Sequence, residues 1–369
     1  MKLLIAPLEL KGTLSAADAA DAITDGLRAA GFTGEIRCVP LADGGPGTLN
    51  AIAKAHTAMP VQVARVTSSD GEAIDVPWMV SDDLAVIESA QAVGLMRIPE
   101  TQREPLRFTS RGVGEMLRAA LDHGAKHIAV GIGGTGTVDL GLGCASALGV
   151  RFNDEQGRPV DPTPENFTRL AEIDTTGRDM RLREITLDAW IDVQAPLTGA
   201  EGAAYRYGGQ KGVPLRSIPK LDSELARIAG SVGPPQPGDG AGGGLGWALR
   251  VLLGAVPMSG FAALATHVGI IPALEWCDVV FTGEGRLDVQ SLQGKGTWAL
   301  ALEARRRNRP IVLFTGSSLL SVDAWRPVFT DVVTLGPGLP CDSKEAYERL
   351  VACVRSYALH GPLEMRPWL

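Results

Sequence analysis

Glycine is the residue that most constrains what this chain can fold into. There are 45 of them in 369 residues, gathered at 44–47, 131–143, 199–212, 238–246, 283–296 and 336–338. A glycine cluster that follows a strand-length apolar run marks backbone that turns sharply or passes close to a ligand or another segment. Clusters repeated in this way through an α/β pattern predict a site built from loops rather than from helix faces.

The apolar pattern between the clusters changes along the chain. Residues 2–6 read as a strand. Ser15 with Asp18 three residues on reads as a capping box, and Ala16, Ala20, Ile23, Leu27 and Ala30 repeat at helical spacing up to Gly31. Residues 36–40 read as a second strand, so the chain opens β-α-β, the signature of parallel pairing. Residues 61–66, 73–79 and 84–89 are β-like runs joined by Ser69-Asp70-Gly71 and Ser81-Asp82-Asp83, which predicts a meander. A helix is predicted over 112–122, with Val113, Met116, Leu117, Ala120 and Leu121 on one face. Strands follow at 127–131, 149–152 and 187–193. From 277 the β-α-β style returns, with strands at 278–282, 310–315 and 331–335, a loop over 283–294, and helices over 295–307 and 343–358. The ends resemble each other and the middle differs, which predicts a domain of 61–259 inserted into one made of 1–60 plus 260–369.

Composition excludes several classes. With 45% hydrophobic and 21% charged residues the chain is globular. A net charge of −7 argues against a nucleic-acid-coating protein. The five cysteines, at 38, 144, 277, 341 and 353, form no C-x-x-C pair, so neither a disulfide framework nor a zinc ribbon is predicted. The five histidines lack metal-ligand spacing. No apolar run reaches the ~18 residues of a membrane span. The nearest, 247–256, is interrupted by Arg250, and the apolar N-terminus is too short for a signal peptide. The expectation is a soluble cytoplasmic protein with a small-molecule partner and neither nucleic acid nor membrane.

Four loops carry candidate chemistry. Gly131-Ile132-Gly133-Gly134-Thr135-Gly136 follows a strand, as a dinucleotide fingerprint does. The pattern is weak alone; it reads more readily as another phosphate or carboxylate loop, or as a structural turn, and Asp139 at the start of the next helix disfavours an anion there. No Walker A sequence and no G-x-S-x-G elbow is present. Thr282-Gly283-Glu284-Gly285-Arg286-Leu287-Asp288, continuing through Ser291 to Gly294-Lys295, mixes carboxylates, cations and glycines at the end of a strand, where open α/β sheets bind ligands. Lys11-Gly12 and Ala42-Asp43-Gly44-Gly45-Pro46-Gly47-Thr48 follow the first two strands. Asp43 would take a proton, orient a hydroxyl, hold a metal or simply close an Asx turn.

Together these segments resemble the glycerate kinase family, the bacterial type without a Walker A loop. The matching pieces, in order, include Ile5-Ala6-Pro7, Lys11-Gly12-Thr13, Ala42-Asp43-Gly44-Gly45, Gly47-Thr48, Ile87-Glu88-Ser89-Ala90-Gln91, Thr109-Ser110 and Gly131-Ile132-Gly133-Gly134-Thr135. Asp139, Asp192, Gln210-Lys211-Gly212, Gly242-Gly243-Gly244-Leu245 and the 282–295 segment complete the series. The resemblance implies a flavodoxin-like α/β domain built from both chain ends, an inserted domain of restriction-endonuclease-like fold, and an active site in the cleft. It implies transfer of the ATP γ-phosphoryl group to glycerate, commonly at the 2-hydroxyl, with Mg2+. On that basis Lys11, Arg286 and Lys295 are assigned to carboxylate or phosphate oxygens, and Glu284 or Asp288 to the metal. Asp43 or Asp192 is assigned to the substrate hydroxyl, and Gly44, Gly45, Thr48, Gly133, Gly134, Thr135 and Ser291 to ligand contacts. Four positions depart from the family pattern. Leu8 stands where the family has Asp, Pro46 where it has Glu, Val138 where it has Asn and Ala195 where it has Asn. The alternatives are a non-catalytic or altered-substrate member of the fold, and a dinucleotide-dependent oxidoreductase resting on 131–136.

Overall fold

The computed structural model describes residues 1–361 apart from Lys11, 57–58, 82–83, 192–193, Gln290, 294–295 and 337–341. The strands among the described residues are β1 (Lys2–Ile5), β2 (Glu35–Cys38), β3 (Val61–Thr67), β4 (Ala73–Ser81), β5 (Leu84–Glu88), β6 (His127–Gly131), β7 (Arg151–Asn153), β8 (Glu172–Asp174), β9 (Thr186–Ile191), β10 (Val256–Ser259), β11 (Val279–Leu287), β12 (Ile311–Ser318) and β13 (Asp331–Thr334). The chain divides into two compact units. One comprises Met1–Asp43, Asn50–Thr57 and Phe261–Leu369, and the other Gly44–Leu49 and Ala58–Gly260.

The first unit holds a parallel sheet in the order β13-β12-β11-β1-β2. Read from the β2 edge with strands counted within the unit, the order is 2-1-3-4-5, the doubly wound arrangement whose switch point lies between its first and third strands. Near-continuous apolar runs explain the parallel pairing, because such strands are buried on both faces. Leu3, Ile5, Val279, Phe281, Val312 and Phe314 are all buried in one cluster. The helix Ala16–Ala29 turns Ala19, Ala20, Ile23 and Leu27 inward. It starts at Ser15, whose hydroxyl oxygen accepts the Asp18 N–H at 3.1 Å and donates to the Asp18 carboxylate at 2.6 Å. The helix Ser343–His360, capped by Asp342 on the Glu345 N–H at 2.8 Å, adds Leu350, Val354 and Tyr357 to the same core.

The second unit holds a mixed sheet in the order β10-β9-β6-β5-β4-β3. The expected meander is β3-β4-β5, paired antiparallel; β5, β6, β9 and β10 then run parallel. The helix Arg111–His123 buries Val113, Met116, Leu117, Ala120 and Leu121, the face its spacing predicts. The segment 247–256, the nearest approach to a membrane span in the sequence, is helical only to Leu252, with Trp247, Ala248, Leu249 and Leu252 in the core, and by Val256 it has entered β10. No helix among the described residues is long and apolar enough to cross a membrane.

Candidate functional site

In the first unit the candidate chemistry gathers at the sheet's switch point. The loop over 283–294 expected from its glycines is shorter than its sequence suggests. β11 continues through Gly283 and Gly285 to Leu287, because β12 also runs on and pairs Glu284 with Thr315, Arg286 with Ser317 and Leu287 with Ser318. Ladder hydrogen bonds offset the conformational cost of the two glycines. The consequence is chemical. Side chains alternate along a strand, so Leu287 is buried in the protein while Glu284, Arg286 and Asp288 follow each other at a spacing of two. Arg286 is exposed, and Glu284 and Asp288 are half-buried. A tight turn follows, with the Ser291 N–H on the Asp288 carbonyl at 2.9 Å and the Asp288 N–H on Ser291 Oγ at 3.3 Å.

The segment after β1 lies alongside. The Leu8 N–H donates to the Gly283 carbonyl at 2.8 Å, and Thr282 Oγ1 donates to the Ala6 carbonyl at 2.7 Å. A Cβ on Gly296, the first residue of the helix Gly296–Arg306, would stand 2.3 Å from Leu8 Cδ2. Leu8 therefore packs on the head of that helix. In the helix's first turn the Thr297 hydroxyl is buried and has no hydrogen-bond partner among the described residues. Lys11, Asp192 and Lys295 lie outside the described residues. Asp43, half-buried, ends the first segment of this unit.

In the second unit the glycine loops are spent largely on each other. The Gly133 N–H donates to the Gly44 carbonyl at 3.2 Å. A Cβ on Gly131 would meet that carbonyl oxygen at 2.4 Å, and one on Gly133 would meet Gly45 Cα at 2.6 Å. The Gly136 N–H goes to the Val93 carbonyl at 2.7 Å, and the Gly134 carbonyl accepts the Leu95 N–H at 2.8 Å. These glycines serve backbone-to-backbone approach, and the helix after them begins only at Leu142. A pyrophosphate cradle needs N–H groups at a helix start directly after the fingerprint, so the oxidoreductase alternative loses its structural basis. Gly133 and Gly134 do keep a face toward solvent, whereas Thr135 is buried.

The heads of both helices that follow these loops are already occupied by internal carboxylates. Glu88, at the end of β5, accepts the Leu49 N–H at 3.1 Å and the Gln91 side-chain amide at 3.0 Å, with Gly47 and Thr48 N–H groups also on it. Thr48 Oγ1 turns back to the Gly45 carbonyl at 2.7 Å. Asp139, fully buried, accepts the N–H and hydroxyl of Ser110, both at 2.7 Å, and the N–H groups of Gly141 and Gly143, both at 3.2 Å. Burial raises both carboxyl pKa values, against the hydrogen bonds that lower them. The place of Asp139 at a helix start was legible in the sequence. Glu88 was not legible as a cap, because its partner Leu49 is distant in the chain.

The four departures from the family pattern are packing residues. Besides Leu8 on Gly296, Pro46 lies where a Cβ on Gly134 would come within 2.7 Å. Val138 is buried in the core of the unit. Ala195 is buried, and its carbonyl accepts the N–H groups of Gly238 and Gly240, both at 3.1 Å. Cys38, Cys144, Cys277 and Cys353 carry free thiols. Among the described residues no group of three or more His, Cys, Asp or Glu is placed to hold a metal by itself.

Comparison with known proteins adds to this geometry. The model of the glycerate kinase family matches residues 3–358. The chain is 36% identical to the glycerate 2-kinase of Escherichia coli K12, covering 99% of each sequence. It is 37% identical to the glycerate kinase of Bacillus subtilis 168, over 86% of this chain and 85% of that one. A solved structure from Salmonella typhimurium LT2, named "putative glycerate kinase 2", superposes with a TM-score of 0.81 at 35% identity and full coverage of both chains.

Proposed function

The chain belongs to the glycerate kinase family, and from that premise we propose that it moves the γ-phosphoryl group of ATP to the 2-hydroxyl of glycerate with Mg2+. The observation that carries this is a family match running from residue 3 to residue 358, through both units. The name of the Escherichia coli relative, glycerate 2-kinase, supports the 2-position.

The residues at the switch point of the first unit fit the implied nucleotide and metal by their donor chemistry. Mg2+ takes oxygen ligands, and it commonly uses one or two carboxylates with phosphate oxygens and water supplying the rest. Glu284 on β11 and Asp288 just past its end offer such a pair, so the lack of a larger carboxylate cluster among the described residues is no obstacle. When bound, the ion neutralises charge on the phosphate oxygens. Phosphoryl transfer otherwise asks a protein mainly to position groups and stabilise charge. Arg286, between the two carboxylates and exposed, serves as an anion contact, and Lys11 and Lys295 add positive charge in the same role. Asp43 or Asp192 accepts the proton of the attacking hydroxyl, which requires an approach of ~2.6–3.2 Å. Gly44, Gly45, Thr48, Gly133, Gly134, Thr135 and Ser291 shape the loops that receive the ligands.

The test is ADP release by purified protein supplied with Mg-ATP and D-glycerate. Turnover is expected, with a drop of about 100-fold or more in an Asp288→Ala, Lys295→Ala double variant. A rate equal in wild type and double variant defeats the proposal. The packing of Leu8 on Gly296 favours one second reading, a member of the family acting on a related hydroxy acid. Turnover on another 2-hydroxy acid but not on glycerate would select it.

A further inference from the structure

One cation of the second unit lies in its interior. Lys211 ends the short turn Gly209–Lys211, and only 4% of it is exposed. Its Nζ donates to the Thr137 carbonyl at 2.8 Å and to Thr135 Oγ1 at 3.3 Å. Lysine is seldom buried without a carboxylate partner. The carboxylate that acts on it through space is Asp139, whose oxygens are engaged by Ser110, Gly141 and Gly143. Among the described residues the ammonium is thus held by neutral oxygens. Desolvation brings its pKa down to about 7, opposed by the charge of Asp139.

The surrounding backbone is shaped to close over it. Gly243 has φ +74°, and a Cβ there would stand 3.0 Å from Lys211 Nζ and 2.1 Å from the Thr137 carbonyl oxygen. The Leu140 N–H donates to the Gly243 carbonyl at 3.2 Å, and Leu140 itself has φ +57°, a left-handed conformation that a non-glycine residue holds only where its surroundings enforce it. Lys211 therefore joins the turns at 135–137, 209–212 and 242–244. A buried charge held this way is poor as a stabilising device, since an apolar side chain of similar volume often serves stability as well or better. Its position is informative. Thr135 and Thr137 continue directly from Gly133 and Gly134, which face solvent.

We propose that Lys211 is a positioning residue for phosphoryl transfer, its ammonium fixing from within the turn whose outer side presents Gly133 and Gly134 to the ligand. This rests on the kinase reading above. Losing the strut shifts the rim, and misplacement on the order of 1 Å is enough to cost turnover.

The test compares wild type with Lys211→Met. At pH 6 the variant is expected to melt at or above the wild-type temperature, because it no longer buries a charge. It is expected to lose about tenfold or more in kcat/KM for D-glycerate. The wild-type pH profile is expected to fall on the alkaline side through an ionisation near 7, and this limb is absent in the variant. Asp139 is the titratable group facing Lys211 whose charge acts on it. The Arg103 guanidinium, on the Gln210 carbonyl at 3.1 Å, is the permanent charge beside the turn. A variant that folds, matches wild-type kcat/KM within twofold and keeps the alkaline limb overturns the inference. Should Lys211→Met fail to fold, Thr135→Val removes one of the two Lys211 hydrogen bonds, the one at 3.3 Å, and wild-type kinetics with an unchanged alkaline limb there overturn the inference as well. A wild type without turnover on any 2-hydroxy acid defeats the kinase reading instead. The inference is then read by calorimetric binding of D-glycerate, where equal affinity for wild type and Lys211→Met, or binding to neither, sinks it.

Discussion

Gly131 shows how a residue with no side chain can fix a site. Its hydrogen atom faces the Gly44 carbonyl oxygen at a distance where a Cβ would stand 2.4 Å away, and the obstacle is backbone. Neither segment can yield by a rotamer change. Gly131→Ala is expected to lower unfolding free energy by about 1–3 kcal/mol, the ordinary range for overpacking a tight contact. The measurement is a urea titration beside Gly230→Ala. Gly230 closes the helix Ile218–Gly230, is exposed, and has nothing within 4 Å of its Cβ position. That variant is expected to be neutral or slightly stabilised, because alanine favours helix over glycine by up to ~1 kcal/mol. Equal stability of the two variants would mean that the loops do not touch as described. The lesson extends to the fingerprint at 131–136. The sequence shows that its glycines are needed, and only the packing shows that a neighbouring loop, not a pyrophosphate, needs them.

At the scale of single elements, legibility follows the reach of the stabilising bond. The Ser15 cap joins residues three apart and is readable from the sequence. The helical faces at 16–29 and 111–123 are readable for the same reason, since their period is local. Glu88 caps the head of the helix Thr48–Ala55 from 39 residues away, and Lys211 holds Thr137 from 74 residues away; no local pattern announces either. β11 is an intermediate case. Its glycines argue for a loop, and the partner that keeps it a strand, β12, lies too far along the chain to weigh locally. The Glu88 cap carries its own prediction. Burial raises the Glu88 carboxyl above its ordinary 4.5, so through that window the folded chain holds a proton that the unfolded chain has released. Stability therefore falls as pH rises from the unfolded value through the folded one. Asp139 contributes in the same direction. In Glu88→Gln the decline of unfolding free energy with pH, followed by urea titrations between pH 4 and 7, is expected to be shallower than in wild type. An unchanged slope would show that Glu88 titrates in the folded protein as it does in the unfolded chain.

At the scale of the whole molecule, the two units differ in how far apart in sequence their strands are drawn. β1 pairs with β2 on one side and with β11 on the other, matching Ile5 with Phe281. The first unit also takes Leu350, Val354 and Tyr357 into its core, so it cannot close until nearly the entire chain is available. The second unit joins β3, β4 and β5 by short turns, then adds β6 and β9 in order. Closing a long loop costs entropy before any contact repays it, and non-local sheets form slowly for that reason. The second unit should therefore acquire its sheet first. In pulse-labelled hydrogen exchange during refolding, amides of β5, β6 and β9 are expected to gain protection ahead of those of β1 and β11. Simultaneous protection of both sets, or β1 and β11 first, would contradict this order. The glycine-rich turn at 133–134 belongs to the early set, and Glu284 on β11 with Asp288 just past its end to the late one. On this order, kinase activity appears only with the slower phase, and its rate of recovery equals the rate at which β1 and β11 become protected.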